Sequence, residues 1–327
     1  MNSRRSFVKK IGASAALSSF ALSSVTTFAS QSDSRPDPKE KKIRIGIIGA
    51  ENTHTIIYGK MFNTDKKFPG VEVLYVWGET EELAKNAMLK GNIPNMVKDP
   101  KEMLGKIDAL IVDHRHAMYH LEVAVPFIKA GIPTFIDKPF CYRISEGKEF
   151  LALAKKLRTP VTSYSTTAYS NAAIDLKNQT ASLGKISQVV RCGPVDIDSE
   201  YGGIFFYGVH LLQPLMNIFG EDVERVKVTR NGKNGSAGLV FKSGLYATLV
   251  FKNNSSGWET FVETKDGLVE LKSRTTESDP AICYVDMVEM FKTGKEPRTH
   301  QSILSDVAVL EALEKSTSSQ EWENVIY

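Results

Sequence analysis

The chain has 327 residues, of which 42% are hydrophobic and 24% are charged, values that are usual for a globular protein of two domains. The net charge of +3 is too small to predict binding to nucleic acid or to an acidic membrane surface. Beyond the N-terminus no block of basic residues occurs, which also argues against a nucleic-acid partner.

The first 30 residues have the order of features that is typical of an export signal. Arg4 and Arg5 precede an uncharged run rich in Ala and Ser, and cleavage is expected after Ala29. The arginine pair resembles the twin-arginine type of signal. The run is too short and too rich in Ser for a membrane span, so no stable anchor is expected. Residues 31–41 are predicted to be a linker, and we expect an exported, periplasmic protein.

Residues 42–160 alternate between apolar strand patterns and helical patterns. The strands are predicted at 42–49, 71–77, 108–113 and 132–137, with helical segments between them. Alternating strands and helices indicate parallel βαβ units. We therefore predict an α/β Rossmann domain, a doubly wound parallel sheet that binds a dinucleotide.

Residues 161–327 follow a different pattern. Short strands come in close succession, separated by Gly or Asn turns, and two helical stretches end the chain. This order predicts an α+β domain with a large, mostly antiparallel open sheet, which would serve in substrate binding and oligomerisation.

The turn after the first strand carries part of a dinucleotide-binding motif. Gly49 holds the first glycine position, but Glu51 and His54 stand where the second and third glycines are expected. The stretch therefore leaves two possibilities open, a bound dinucleotide or an empty Rossmann scaffold. The residues placed to contact a dinucleotide at this turn are Gly49, Ala50, Glu51, Asn52 and Thr53.

An acidic residue for the ribose hydroxyls is expected at the end of the second strand. Trp77 and Gly78 occupy that place, and Glu79 comes one position later. The sequence therefore predicts that the usual ribose contact is absent.

Lys138 follows the strand 132–137 directly, at the edge of the sheet where open α/β proteins bind ligands. The surrounding segment is short and apolar, and Pro139 favours an extended backbone at Lys138. A partly buried lysine in such a place is a candidate general acid or base, and also a candidate cofactor contact.

The segment 204–220 predicts a buried helix with a single polar stripe. Spacings of three and four residues place these side chains on one face. The stripe predicts the wall of a cleft, with a hydrogen-bonded core as the alternative. Its members are Tyr207, His210, Gln213 and Asn217.

Three histidines follow the strand 108–113, again at the ligand-binding edge of the sheet. His114, His116 and His120, with Asp113, have a spacing that metal ligands can adopt. We favour the alternative, in which His114 and Arg115 line an anion or sugar pocket and His120 packs against a helix. No metal is therefore predicted.

Together these residues resemble the Gfo/Idh/MocA family of dinucleotide-dependent sugar and cyclitol dehydrogenases, over residues 42–327. The marks are Gly49 after "RIGII", "HLEVAVPFIKAGIPTFIDKPF" around Lys138, and "GVH" at His210. The resemblance implies a Rossmann domain, a C-terminal open sheet often used for oligomerisation, and hydride transfer to C4 of a nicotinamide. It also implies that Lys138 and His210 lie at the reacting sugar carbon.

The sequence departs from the family pattern at several of these positions. Phe206 and Gln213 replace residues that are often acidic around the histidine, and Arg115-His116 replaces a Thr-Pro pair. Because Lys138 and His210 remain, the chain is identified as a divergent branch of the family.

The expected function is hydride transfer between NAD or NADP and a sugar, sugar derivative or cyclitol. Lys138 would act as acid/base, His210 would assist and Tyr207 would orient the substrate. A homo-oligomer formed through the C-terminal sheet is expected. The alternatives are a non-redox enzyme on the same fold, such as a glycoside-cleaving enzyme or a lyase with a trapped cofactor or a histidine-bound metal, and a non-catalytic sugar-binding protein.

Overall fold

The computed structural model describes residues 42–275 and 279–327. The predicted signal and the predicted linker lie outside the described residues. No helix in the described part of the chain combines the length and the apolar character that a membrane span requires.

The first sheet has six strands, all parallel, in the order β3-β2-β1-β4-β5-β6, which is the order of a doubly wound Rossmann fold. Two of its inner strands, Ala109–Val112 and Thr134–Ile136, are buried along their whole length, as is usual for a parallel sheet covered on both faces. The strands are β1 (Ile43–Ile48), β2 (Val71–Trp77), β3 (Asn95–Met96), β4 (Ala109–Val112), β5 (Thr134–Ile136) and β6 (Val161–Thr162).

Four helices connect these strands, and a π-helical turn, Lys60–Thr64, extends the first. The second begins at a Thr80 side chain that accepts a hydrogen bond from the amide of Leu83, a normal N-cap. The helices are α1 (His54–Gly59), α2 (Glu81–Gly91), α3 (His120–Lys129) and α4 (Ile144–Leu157).

The second sheet has seven strands in the order β12-β11-β7-β10-β9-β8-β13, and only the β7–β10 pair is parallel. Two short helices lead into it, α5 (Thr166–Tyr169) and α6 (Asn171–Ala181). The strands are β7 (Gln188–Pro194), β8 (Val223–Asn231), β9 (Asn234–Phe241), β10 (Tyr246–Lys252), β11 (Glu259–Thr264), β12 (Gly267–Glu270) and β13 (Glu323–Asn324).

Three longer helices complete this half: α7 (Ile204–Phe219), α8 (Val285–Thr293) and α9 (His300–Ser319). Helix α7 packs on β7 and α9 packs on β8, so both cover the same sheet. Leu211 and Leu310 from these helices and Leu249 from β10 are fully buried. The observed architecture confirms the predicted fold class, a parallel Rossmann sheet followed by a mostly antiparallel open sheet.

Candidate active site

The turn after β1 has the geometry that its glycine predicts. Gly49 has φ +113°, a backbone conformation that residues with a side chain rarely adopt. A Cβ atom at this position would lie 2.6 Å from the carbonyl carbon of Asp113, which follows β4. The turn therefore brings β1 and β4 together at the carboxyl edge of the sheet, where dinucleotides bind in this fold.

Glu79 holds the backbone of this turn. The amides of Ala50 and Glu51 both donate to Glu79 Oε2, each at 2.9 Å, while Glu79 Oε1 is buried without a partner. The turn thus directs two N–H groups at an anion and places a spare acceptor beside them. The expectation that the acid after β2 is missing is corrected, because the loop after Trp77 brings Glu79 back to that edge.

The side chain of Glu51 turns toward the second half of the chain. Its Oε1 accepts a hydrogen bond of 2.8 Å from the Tyr201 hydroxyl. Arg115 donates to the same Tyr201 oxygen at 3.0 Å, and its guanidinium carbon lies 4.4 Å from the centre of the Tyr201 ring. Arg115 therefore supplies a positive charge close to Glu51, with Tyr201 between them.

Two buried carboxyl groups follow β4 and β5. Asn52 donates to Asp113 Oδ1 at 2.9 Å and to Asp137 Oδ2 at 3.3 Å. Burial, then the neighbouring Asp137 charge, raises the pKa of Asp113 well above its ordinary value. Burial opposes ionisation of Asp137 too, but the charges of Lys138 and His54 lower its pKa. The two shifts have opposite directions, so Asp137 is the more readily ionised acid of the pair.

Lys138 lies beside that charge. Its side chain is buried, and its Nζ lies 3.1 Å from Asp137 Oδ2. His54 Nδ1, from the start of α1, lies 3.2 Å from the same oxygen. The ion pair with Asp137 fixes the position of the Lys138 side chain at the end of β5.

His210 enters the site from α7. Its Nδ1 lies 2.7 Å from Ser165 Oγ, which lies 2.7 Å from Thr167 Oγ1, and Thr167 Oγ1 lies 3.5 Å from the His210 carbonyl oxygen. Burial, then the charge of Lys138, lowers the pKa of His210 well below its ordinary value. His210 is therefore a neutral imidazole at pH 7, held by a chain of hydroxyl groups whose direction can reverse.

The polar stripe of α7 has both predicted roles: two of its residues line a cavity and two form hydrogen bonds in the core. Tyr207 is 38% exposed, and with His210 and Trp258 it borders a cavity of about 690 Å³. Gln213 is buried and donates to Asp306, and Asn217 donates to the Ala168 carbonyl at 2.8 Å. The first turns of the helix thus form a cleft wall, and the later turns form a hydrogen-bonded core.

The three histidines after β4 have separate surroundings. His120 is buried, with Nε2 2.9 Å from the His114 carbonyl oxygen. His114 packs against Trp77, with ring centres 5.8 Å apart, and its Nδ1 is buried without a partner. The ring of His116 lies 4.9 Å from that of Tyr142. His120 therefore packs as expected, and His114 keeps a free nitrogen at the edge of the sheet.

A different group of side chains in the described residues has the spacing of metal ligands. One ligand atom each from His54, Asp113 and Asp137 lies within 4.8 Å of the others. Asn52, Thr55 and Lys138 already satisfy these carboxyl groups with hydrogen bonds or an ion pair. The group therefore belongs to the network that positions Lys138.

Comparison with known families addresses this site directly. Residues 43–165 match the model of the Gfo/Idh/MocA oxidoreductase family, described as an NAD-binding Rossmann fold. This part of the chain is therefore similar to the Gfo/Idh/MocA family. Its match confirms the resemblance drawn from Gly49 and the Lys138 segment, and it confirms the predicted dinucleotide-binding fold.

One curated protein is also similar in sequence to part of this chain. The chain is 27% identical over 141 residues to YhhX of Escherichia coli (strain K12), an uncharacterized oxidoreductase. The alignment covers 38% of this chain and 40% of that protein. The aligned part is thus less than half of the relative.

Solved structures share the fold over most of the chain. A probable dehydrogenase from Thermotoga maritima has a TM-score of 0.73 at 18% identity, covering 87% of this chain and 100% of that one. GenD2 of gentamicin A biosynthesis, in complex with NAD, has a TM-score of 0.75 at 15% identity, covering 88% and 97%. Myo-inositol dehydrogenase from Lactobacillus casei, in complex with NAD(H) and myo-inositol, has a TM-score of 0.72 at 14% identity, covering 87% and 97%.

Residues 43–165, which match the family model, contain backbone and side-chain atoms that can bind a dinucleotide. The Gly49 turn leaves no room for a side chain, and the amides of Ala50 and Glu51 already hold a carboxylate oxygen. Glu79 Oε1 and His114 Nδ1 are buried without a hydrogen-bond partner, so both can bond to a ligand. The fit of this site to a dinucleotide rests on these two atoms. Asn52 is committed to the carboxyl pair, and Thr53 is exposed.

Several residues of the site are not found by sequence reasoning. Asp137 belongs to the recognised Lys138 segment, and its place beside the lysine is the signal that could have found it. Glu79 stands one place beyond the position where the motif expects an acid. Ser165, Tyr201 and Trp258 lie in connections between elements, where no periodic pattern marks a residue.

Proposed function

We propose that the protein is an NAD(P)-dependent oxidoreductase that acts on a CH–OH group of a sugar, sugar derivative or cyclitol. The observation that carries the proposal is the buried ion pair of Lys138 with Asp137 at the end of β5, within the region that matches an NAD-binding family. His210, on α7, is near enough for the Lys138 charge to lower the pKa of its imidazole. An amine and an imidazole are side chains that can act as acid and base at a reacting hydroxyl group.

The residues proposed to hold the cofactor lie along the same edge. Gly49 permits close approach of the backbone, and the Glu79 carboxylate orders the turn by accepting from the amides of Ala50 and Glu51. Glu79 and His114 offer unpartnered atoms, and Arg115 adds a positive charge. When bound, the nicotinamide would accept or deliver the hydride. The proposed cofactor is either NAD or NADP.

The chain's own residues would handle the proton. Lys138, held in place by Asp137, would donate a hydrogen bond to the substrate hydroxyl oxygen and stabilise negative charge there. His210, whose pKa burial keeps low, would take the hydroxyl proton at Nε2. The Ser165–Thr167 hydroxyl chain can reverse its direction as His210 gains or loses that proton. Tyr207 borders the same cavity and would orient the substrate.

The proposed substrate class is supported by the cavity and by the solved relatives. The 690 Å³ cavity beside His210 is lined by hydrogen-bonding side chains that suit several hydroxyl groups. The Lactobacillus casei enzyme was crystallised with myo-inositol, a cyclitol. The test is a screen of sugars and cyclitols with NAD or NADP, measured by formation of the reduced nicotinamide. A protein that binds neither nucleotide and reduces neither would contradict the proposal.

The two acidic residues near the turn are predicted to act differently on cofactor affinity. Because the Glu51 carboxylate is bonded to Tyr201 and lies near Arg115, Glu51→Gly should change the NAD dissociation constant by less than ~3-fold. Glu79→Ala removes a buried acceptor and the group that orders the turn, so affinity should fall by ~10-fold or more. Isothermal calorimetry with NAD and NADP measures both. Much tighter binding by Glu51→Gly would show instead that its charge repels the pyrophosphate.

We also propose export by a twin-arginine-like signal, from the order of residues 1–30. Replacing Arg4 and Arg5 together by Lys should leave the precursor in the cytoplasm, because such signals require the arginine pair. Cell fractionation followed by immunoblotting measures this. Unchanged export of the double variant would reject the twin-arginine interpretation.

A homo-oligomer is proposed on the uncovered face of the second sheet. Tyr246, Val240, Val190 and Phe261 come from neighbouring strands and form a patch on the face that α7 and α9 do not cover. Tyr246 is 39% exposed and the others are half-buried. A second copy of the chain would cover this patch. Light scattering should give a multimer mass for the wild type and a smaller mass for Val190→Lys, and a wild-type monomer would contradict the proposal.

A further inference from the structure

Arg191, in β7, is a buried cation without a carboxylate partner. The residue is 5% exposed. Its Nη1 donates to Thr260 Oγ1 at 2.8 Å, directly across the β7–β11 pair, and its Nε is buried without a partner. In the part of the chain that the structure describes, no acidic group pairs with it. A buried charge normally requires such a partner, so this guanidinium is available to an anion from outside the chain.

Arg298 shows how the same protein treats an arginine that supports the fold. It is also buried, but its Nη1 lies 3.0 Å from Asp306 and donates to the Ser163 carbonyl at 2.8 Å. Burial lowers the pKa of Arg298, but the charge and hydrogen bond of Asp306 and the nearby Tyr169 and Glu221 together raise it above its ordinary value. At Arg191, burial lowers the pKa to about 10. The contrast separates a structural arginine from one whose charge is left uncompensated.

The guanidinium borders a cavity of about 510 Å³. Trp258 and Thr167 line this cavity and also the one beside His210, so the two openings are neighbours. His54, which contacts the same Asp137 oxygen as Lys138, lies in its wall. A ligand group held by Arg191 would therefore lie in the space adjoining the proposed reaction centre.

We propose that Arg191 binds an anionic group, a carboxylate or a phosphate, of a ligand that enters this cavity. The planar fork of a guanidinium matches both groups with paired hydrogen bonds, and Thr260 and Thr167 add neutral donors. The proposed function makes the substrate the ligand of this cavity. On that basis the substrate is an acidic sugar, that is, a sugar acid or a phosphorylated sugar.

The test measures binding and stability, with no turnover involved. Wild type and Arg191→Met are titrated by calorimetry with acetate, inorganic phosphate, glucuronate and glucose 6-phosphate, with glucose as the neutral control. At least one anion should bind the wild type and lose ~10-fold or more affinity in Arg191→Met, because a charge-assisted contact is lost. Glucuronate and acetate against phosphate and glucose 6-phosphate distinguish a carboxylate from a phosphate.

Thermal unfolding supplies the second measurement. Arg191→Met should keep the wild-type melting temperature or exceed it, because it removes an uncompensated buried charge. Arg298→Met is the matched control and should melt earlier, because it leaves Asp306 buried and unpaired. Anion binding unaffected by Arg191→Met, no anion binding to the wild type, or equal destabilisation by both variants would overturn the inference. Absence of hydride transfer would contradict only the proposed function.

Discussion

Replacing Lys138 by Met should reduce turnover at least ~100-fold, the usual effect of losing one group that stabilises developing negative charge. In the proposed reaction the ammonium group stabilises the oxygen from which a proton departs, and Met has similar length but no charge. His210→Asn should have an effect of similar size, because Asn cannot accept the proton. Steady-state kinetics on whichever sugar or cyclitol is turned over measures both variants.

Two checks make these losses interpretable. Asp137 keeps its contacts with His54 and Asn52 when Lys138 is replaced, so circular dichroism should still show a folded protein. Lys148→Met, on the exposed side of α4, is the matched lysine control and should turn over substrate like the wild type. Turnover within a few-fold of wild type in Lys138→Met or His210→Asn would remove that residue from the mechanism.

The fold can be predicted from the sequence because its signal is local. Strand β2 is apolar except for the exposed Glu72, and the predicted range 71–77 agrees with the observed strand. Helix α7 begins at 204, as predicted, because a continuous apolar run starts there. The helix ends before Gly220. The two-residue strands β3 and β6 are not predicted, since two residues carry no period.

The site can be predicted only in part, because much of it depends on distant contacts. Short motifs identify Lys138 and His210 as candidates. The opposite pKa shifts of Asp113 and Asp137 arise from burial and from the charges of Lys138 and His54, which no spacing in the sequence reveals. Arg191 is an ordinary strand residue in the sequence. Only its burial without an acidic partner among the described residues marks it.

Gly49→Ala should destabilise the protein by about 3 kcal/mol or more and lower the melting temperature by roughly 5 °C or more. Two costs combine here. The backbone at φ +113° is one that alanine rarely adopts, and the new Cβ would lie 2.6 Å from the Asp113 carbonyl carbon. Because the opposing atom belongs to the backbone, no side-chain rotation can relieve the contact, and β1 must move away from β4.

Gly70→Ala separates these two costs. Gly70 has φ +79°, but a Cβ added there would have no neighbouring atom within 4 Å, so only the backbone cost of about 1 kcal/mol applies. Thermal unfolding of the two variants should therefore differ by several degrees. Because the β1–β4 approach also positions the amides of Ala50 and Glu51, Gly49→Ala should weaken NAD binding while Gly70→Ala should not. Equal melting temperatures for the two variants would show that the turn can open without disturbing the sheet edge.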